Sequence, residues 1–280
     1  MTSIVAAVCA LAVAAMTGAA ANLERDLPRD TSVAYRLLWG AAPGTSVASV
    51  PLCGMTEREV RSALWSLRAQ FRVMPRDAAV DRSTGAINPE RDGLELDVEA
   101  TCRAVMSAGE GEQVAPVMTT VPPRIRADDI RRLKRTRGAF ATSVAGSAER
   151  RENIRLAARY LDYTVLAAGQ TFSFLETLGP TSYERGFVDA PVIVGEEFVP
   201  GPGGGVCQVA TTIYNAALES GLPVIERHRH TKPVGYVAEG RDAVVASWGL
   251  DLKLVNSLDH PVMLRLNVSD GVLTAKFLGP

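Results

Sequence analysis

The chain has 280 residues, of which 47% are hydrophobic, enough to bury a sizeable core without metals or dense disulfides. Lys and Arg number 30 against 31 Asp and Glu, and aromatics make up only 6%. That balance excludes a dedicated nucleic-acid binder, which needs a basic surplus and stacking platforms, and the lack of low-complexity sequence excludes wholesale disorder.

The elements follow in chain order. No charged residue precedes Glu24, and Ser3 to Ala21 is an Ala/Val-rich run ending in small residues. This reads as a signal peptide or N-terminal membrane anchor over 1–23, although no Lys or Arg leads it. Residues 24–50 are polar and turn-rich and read as a linker. Thr56 to Ala69 has helical spacing (Val60, Leu64, Leu67) behind a capping-type start. Phe71 to Val80 reads as extended, 81–85 as a turn and 86–89 as a short strand. Leu94 to Val98 is a strand, Glu99 to Ser107 a helix and Val114 to Thr119 a second strand. Together 51–125 form a small α+β domain. Residues 126–150, with Arg131, Arg132, Lys134, Arg135 and Arg137, read as a basic linker or solvated face, or else as a contact for anionic envelope polymer or lipid headgroups.

The domain over 151–280 opens with a helix, Asn153 to Leu161, that buries Ile154, Ala157, Ala158 and Leu161. Strands follow at 170–174 and 190–198, then a tight loop at 201–205. A helix over Cys207 to Ser220 is expected next, with strands at 224–230, 234–237 and 243–248. The chain closes on a hairpin in which Val262, Leu264, Leu266 and Val268 alternate, Ser269-Asp-Gly271 turns, and Leu273, Ala275 and Phe277 alternate back. The expected fold class is α+β: a small N-terminal α+β domain, then a mixed α+β domain with a Cys-bearing helix packed on an antiparallel sheet.

One stretch carries candidate chemistry. Gly203, Gly204 and Gly205 feed the helix that starts at Cys207, where free N–H groups and the helix dipole favour a thiolate. The helix is about 21 Å long at 1.5 Å per residue, and the return from Ser220 to His228 covers about 23 Å at 3.3 Å per residue. An antiparallel return therefore brings His228 and His230 level with Cys207. Asp242 is a candidate to orient an imidazole, Gln208 to offer its amide, and the glycine N–H groups to hold an oxyanion. Gly203, Gly204, Gly205, Gln208 and Arg227 are thus candidate ligand-binding residues, and Cys207, His228, His230 and Asp242 candidate catalytic ones. Two other readings stay open: Cys207 as an inert core thiol, and a zinc site of Cys207, His228 and His230. No cofactor is otherwise expected. In an oxidising compartment, Cys53 and Cys102 are a candidate disulfide closing a loop of about 50 residues, worth roughly 3–4 kcal/mol.

Several blocks in order resemble the VanW family: Arg151-x-Asn153-Ile154, Gly169-Gln-Thr-Phe172-Ser-Phe174, Gly204-Gly-Val-Cys207-Gln-Val-Ala-Thr-Thr-Ile-Tyr-Asn-Ala-Ala217, Glu226-Arg-His228-x-His230, Tyr236-Val and Gly240-Arg-Asp242-Ala. Gly85-x-Ile-Asn-Pro89 through Gly93-Leu-x-Leu-Asp97 resembles a peptidoglycan-binding domain that often precedes it. The resemblance implies an exported or membrane-anchored cell-envelope protein with peptidoglycan or its stem peptides as partner. Cysteine hydrolase or transpeptidase chemistry on those peptides is one expectation; a non-catalytic binding or accessory role in glycopeptide resistance is the other.

Overall fold

A computed structural model describes Arg36 and residues 40–194 and 197–280. The expected signal peptide or anchor over 1–23 lies outside the described residues. No helix among the described residues is long and apolar enough to cross a membrane. The chain divides into two compact units. One holds the described residues up to Arg76 together with Asp92–Pro122; the other holds Asp77–Arg91 and Pro123–Pro280.

The first unit opens with strands β1 (Ser46–Val47) and β2 (Val50–Pro51), then helix α1 (Glu57–Leu67). Residues 40–50, read as part of a linker, are therefore folded: Ala41, Thr45 and Val47 are buried. At the start of α1 the Glu59 carboxylate accepts from the Thr56 N–H at 2.8 Å and its hydroxyl at 2.9 Å, the capping device its sequence announces. Strands β3 (Ala79–Val80) and β4 (Ile87–Asn88) form a hairpin of the second unit. The chain then supplies β5 (Gly93–Leu96), α2 (Val98–Met106), β6 (Gln113–Val114) and β7 (Met118–Val121) to the first. The single strand expected over Val114–Thr119 is two, interrupted at Ala115-Pro116: β6 pairs parallel with β1, and β7 antiparallel with β5. Val60 and Leu64 of α1 and Val98, Cys102 and Val105 of α2 share a core. Cys53 and Cys102 are both buried and no disulfide joins them. The Cys102 thiol instead donates to the Glu57 carbonyl at 3.6 Å, tying α2 to the first turn of α1.

The boundaries expected at 51–125 and 126–150 give way to a different division. Ala78 packs with Ile125, Ala127, Ile130 and Ala167, and Asp77 accepts from the Arg124 and Ile125 N–H groups, so the β3–β4 hairpin belongs to the second unit. The stretch read as a basic linker contains helix α3 (Ala127–Arg132) and strand β8 (Arg135–Ser143). Its arginines hide the strand from a composition reading, because most of its side chains face water while Phe140 and Thr142 turn inward and Gly138 lies against the end of the Cys207 helix.

Helix α4 (Ala148–Leu161) buries the four residues expected of it. Then come β9 (Thr164–Leu166), β10 (Thr171–Ser173) and the short α5 (Phe174–Leu178). The strand expected at 190–198 is a hairpin of β11 (Asp189–Val194) and β12 (Glu197–Pro202). Helix α6 (Val206–Glu219) carries Cys207. Strands β13 (Val224–Glu226), β14 (Lys253–Val255), β15 (Val262–Ser269) and β16 (Val272–Gly279) complete the chain. A four-stranded sheet runs β8-β16-β15-β9, antiparallel throughout. Its hairpin turns at Asp270-Gly271, both at positive φ (51° and 73°), the backbone a two-residue primed turn demands. Helices α4 and α6 cover one sheet face, where Val209, Ile213, Ala216 and Ala217 meet Leu264, Leu273, Ala275 and Phe277. Helix α6 ends directly on β8: a Cβ on Gly138 would clash with the Ser220 backbone nitrogen. Strands expected at 234–237 and 243–248 do not form. Residues 227–251 make only isolated bridges, His228 to Val244 and Ala246 to Leu250, because side chains satisfy much of this backbone.

Candidate functional site

Helix α6 presents two faces, one apolar towards the sheet and one polar stripe at four-residue intervals. The stripe is Cys207, Thr211 and Asn215. Each member bonds a backbone group of an extended segment running the opposite way. The Cys207 thiol donates to the Val245 carbonyl at 3.4 Å. The Thr211 hydroxyl bonds both the Ala243 carbonyl (3.2 Å) and its N–H (2.9 Å). The Asn215 amide donates to the Arg241 carbonyl at 2.8 Å. Four helical residues rise about 6 Å and two extended residues about 6.6 Å, so the two periods stay in step over three rungs. Segment 241–245 is thus paired to a helix through side chains, and to the chain after β13 through an isolated backbone bridge between Val244 and His228.

Cys207 is the first rung. It keeps partial exposure as a residue, yet burial of its sulfur raises the thiol pKa above its ordinary value, outweighing the opposing influence of the nearby Arg150 guanidinium. The Asp242 charge raises it further. The helix-start thiolate expected from the glycine-fed helix is therefore not favoured: desolvation exceeds what the helix terminus supplies.

The glycines ahead of Cys207 pack against the protein itself. A Cβ on Gly204 would lie 2.7 Å from the Ala190 and Pro191 carbonyl oxygens, one on Gly205 2.9 Å from Ile154, and one on Gly203 2.9 Å from Thr181. Gly203 and Gly205 also sit at φ 92° and 107°, where only glycine is at ease. They serve close packing of β11, α4 and α6. Gln208 is buried with its amide fully engaged: it donates to the Thr142 hydroxyl and the Ser143 carbonyl, each at 2.9 Å, and accepts from Arg150 at 2.8 Å. It fastens α6 to the end of β8.

Asp242 and His230 do come together. The carboxylate accepts from the His230 N–H at 2.7 Å and faces its ring Nδ1 at 2.6 Å. Arg227 completes the group, donating to the Asp242 carbonyl (2.7 Å), the Gly240 carbonyl (2.8 Å) and the Asp242 carboxylate (3.2 Å), while its guanidinium lies over the Tyr214 ring. Burial works to raise the Asp242 pKa, but the His230 hydrogen bonds and charge prevail and hold it below the usual carboxylate range. His228 belongs to a different group. Its Nε2 meets Glu226 at 3.1 Å, and Glu226 also pairs with Lys253 at 2.8 Å and accepts from the Asp251 N–H. The two histidines expected to share one strand face thus serve different carboxylates. Among the described residues, no group of three or more His, Cys, Asp or Glu side chains is placed to hold a metal ion, so the Cys207, His228 and His230 set is not assembled.

Two further residues lie near the sulfur: Arg150, and Tyr236, named above only for the family resemblance. Arg150 donates to Gln208 and to the Ala145 carbonyl (2.7 Å) and stacks over Tyr236 at 6.0 Å. Burial pushes the Tyr236 phenol well above its ordinary value, and the Cys207 charge adds to this. Neither lies near Cys207 in sequence, so no local signal finds them. The Cys207, Thr211 and Asn215 stripe, by contrast, was available as polar residues at i, i+4 and i+8 on an apolar helix.

Residues 149–278 match the family model described as VanW like protein. The chain is 32% identical over 194 residues to the uncharacterized protein YoaR of Bacillus subtilis, covering 67% of this chain and 63% of that protein. It is 25% identical over 123 residues to the vancomycin B-type resistance protein VanW of Enterococcus faecalis, covering 42% of this chain and 45% of that protein. The chain therefore spans less than two thirds of the length of either relative. No solved structure matches.

Proposed function

Taking as premise that this chain belongs to the VanW-like family through residues 149–278, we propose that it is an exported, envelope-facing protein that binds peptidoglycan or its stem peptides without covalent chemistry at Cys207. The observation that carries the absence of covalent chemistry is the Cys207 thiol itself, whose sulfur is desolvated and donates to the Val245 carbonyl. A nucleophile needs an accessible thiolate and a base beside it. The uncharged, Ala/Val-rich stretch before Glu24 supports export. The vancomycin-resistance name of one relative, carried over to this chain, supports a cell-envelope setting in glycopeptide resistance.

The full-length protein and its Cys207→Ser variant are incubated with purified sacculi. Both are expected to cosediment with the polymer, with no Cys207-dependent release of soluble fragments. Fragment release by the parent protein that the variant lacks overturns the reading in favour of a cysteine hydrolase or transpeptidase. Failure of both to cosediment removes the peptidoglycan partner. Point variants suit this test better than deletion of the N-terminal half, because residues 77–91 fold with the C-terminal unit.

A further inference from the structure

The sheet face not covered by α4 and α6 carries an open trough of about 300 Å³. Its walls are the outward side chains of β8, β15 and β16: Thr136, Arg265, Asn267, Thr274, Lys276 and Leu278. Arg265 and Lys276 stand directly opposite each other across the β15–β16 ladder, with Asn267 opposite Thr274 one step along. Like charges in directly opposed positions weaken a sheet. One carboxylate compensates the pair: Arg265 Nε bonds Asp162 at 2.9 Å. Lys276 has no ion-pair partner among the described residues.

The Arg265 guanidinium is ordered in advance. It lies 3.7 Å over the Tyr163 ring, and the Asp162 bond uses Nε, which leaves the terminal nitrogens of the fork for another acceptor. Tyr163 holds that position at φ 59°, as the left-handed residue that ends helix α4 behind its cap Asp162. The trough therefore offers an excess positive charge, a preset guanidinium fork, two hydroxyls and one carboxamide. We propose that it binds an anionic carbohydrate unit: a carboxylate or phosphate bridges Lys276 and the Arg265 fork, and ring hydroxyls meet Thr136, Asn267 and Thr274. A volume of about 300 Å³ is at the small end for ligand sites and suits one sugar unit rather than a polymer segment. The proposal rests on this sheet face alone and stands whatever Cys207 does.

Calorimetric titration of the full-length protein tests it with four probes: N-acetylmuramic acid, glucosamine 6-phosphate, neutral N-acetylglucosamine and inorganic phosphate. At least one charged sugar is expected to bind saturably and at least about tenfold more tightly than the neutral sugar or inorganic phosphate, and Lys276→Gln to lose about tenfold, the worth of one charged hydrogen bond. Preference for the carboxylate sugar assigns a muramic-acid source, and preference for the ester a phosphate-bearing wall polymer. Equal binding of the neutral sugar overturns the proposal, as do inorganic phosphate matching the charged sugars, absence of saturable binding, or an unchanged affinity in Lys276→Gln. Lys276 is exposed, so the variant is expected to fold, and its thermal midpoint checks this.

Discussion

Asp242 grips His230 at two points, one oxygen serving both the backbone N–H at 2.7 Å and the ring Nδ1 at 2.6 Å. The same side chain meets Arg227, and all three are largely buried. Sequence proximity to Gly240 and Arg241 hides what this residue does: it closes an irregular segment onto the strand end that precedes it. The pair has the form of an orienter and its imidazole, and its contacts hold the 227–245 segment together.

Asp242→Ala should therefore cost about 2–3 kcal/mol, since it leaves the His230 N–H and ring without their acceptor, while Arg227 keeps its two backbone carbonyl partners. Asp242→Asn, which keeps an acceptor, should cost less. Denaturant unfolding of both variants checks the order, and equal small losses would count against the bracing role.

Cys207 should behave as a shielded thiol. Its alkylation, followed by peptide mass spectrometry, should run at least about tenfold slower in the folded than in the unfolded chain at neutral pH, with its inflection above the ordinary thiol value near 9.0. Rapid labelling with an inflection below that value would restore the nucleophile. Cys207→Ser should cost no more than about 1 kcal/mol, because a hydroxyl also donates to Val245.

Glycine positions should divide by what surrounds them. Gly204→Ala puts a methyl 2.7 Å from two backbone carbonyl oxygens that cannot swing away, and should destabilise by roughly 1–3 kcal/mol or prevent folding. Gly235→Ala meets nothing within 4 Å and serves as the neutral control. Thermal midpoints of the two variants decide whether the loop is a packing device.

Acid should weaken the second histidine cluster through Glu226. Lys253 and His228 hydrogen bonds, with the Asp251 N–H, lower its pKa from 4.5 to about 2. A carboxylate depressed on folding stabilises the protein fully above its unfolded value. That contribution fades as pH falls from about 4.5 towards 2. Glu226→Gln should flatten the decline in unfolding midpoint over this window, and an unchanged slope would remove Glu226 from the account.

The covered faces of α4 and α6, the capping of α1 and the Asp270-Gly271 hairpin were legible because each depends on residues three or four apart, or on strict alternation. β8 was not legible, since its arginines mask an inward face of Gly138, Phe140 and Thr142 and its partner, β16, lies more than a hundred residues away. The two-way split of residues 51–125 was equally hidden. Asp77, Ala78 and Glu90 are ordinary loop residues until Arg124, Ile125 and Ala127 are brought to them.

For the site, the order of the glycines, Cys207, the histidines and Asp242 is enough to carry the resemblance to the VanW family. Asp242 is named from the sequence only as a candidate to orient an imidazole; that it meets His230 is seen in the fold. Whether the sulfur ionises depends also on residues distant in sequence: burial and the Asp242 charge oppose the thiolate, and Arg150 favours it. Ionisation is a balance between a local helix field and desolvation by neighbours. The helix field is written in adjacent residues; the desolvation comes from chain segments that only folding assembles.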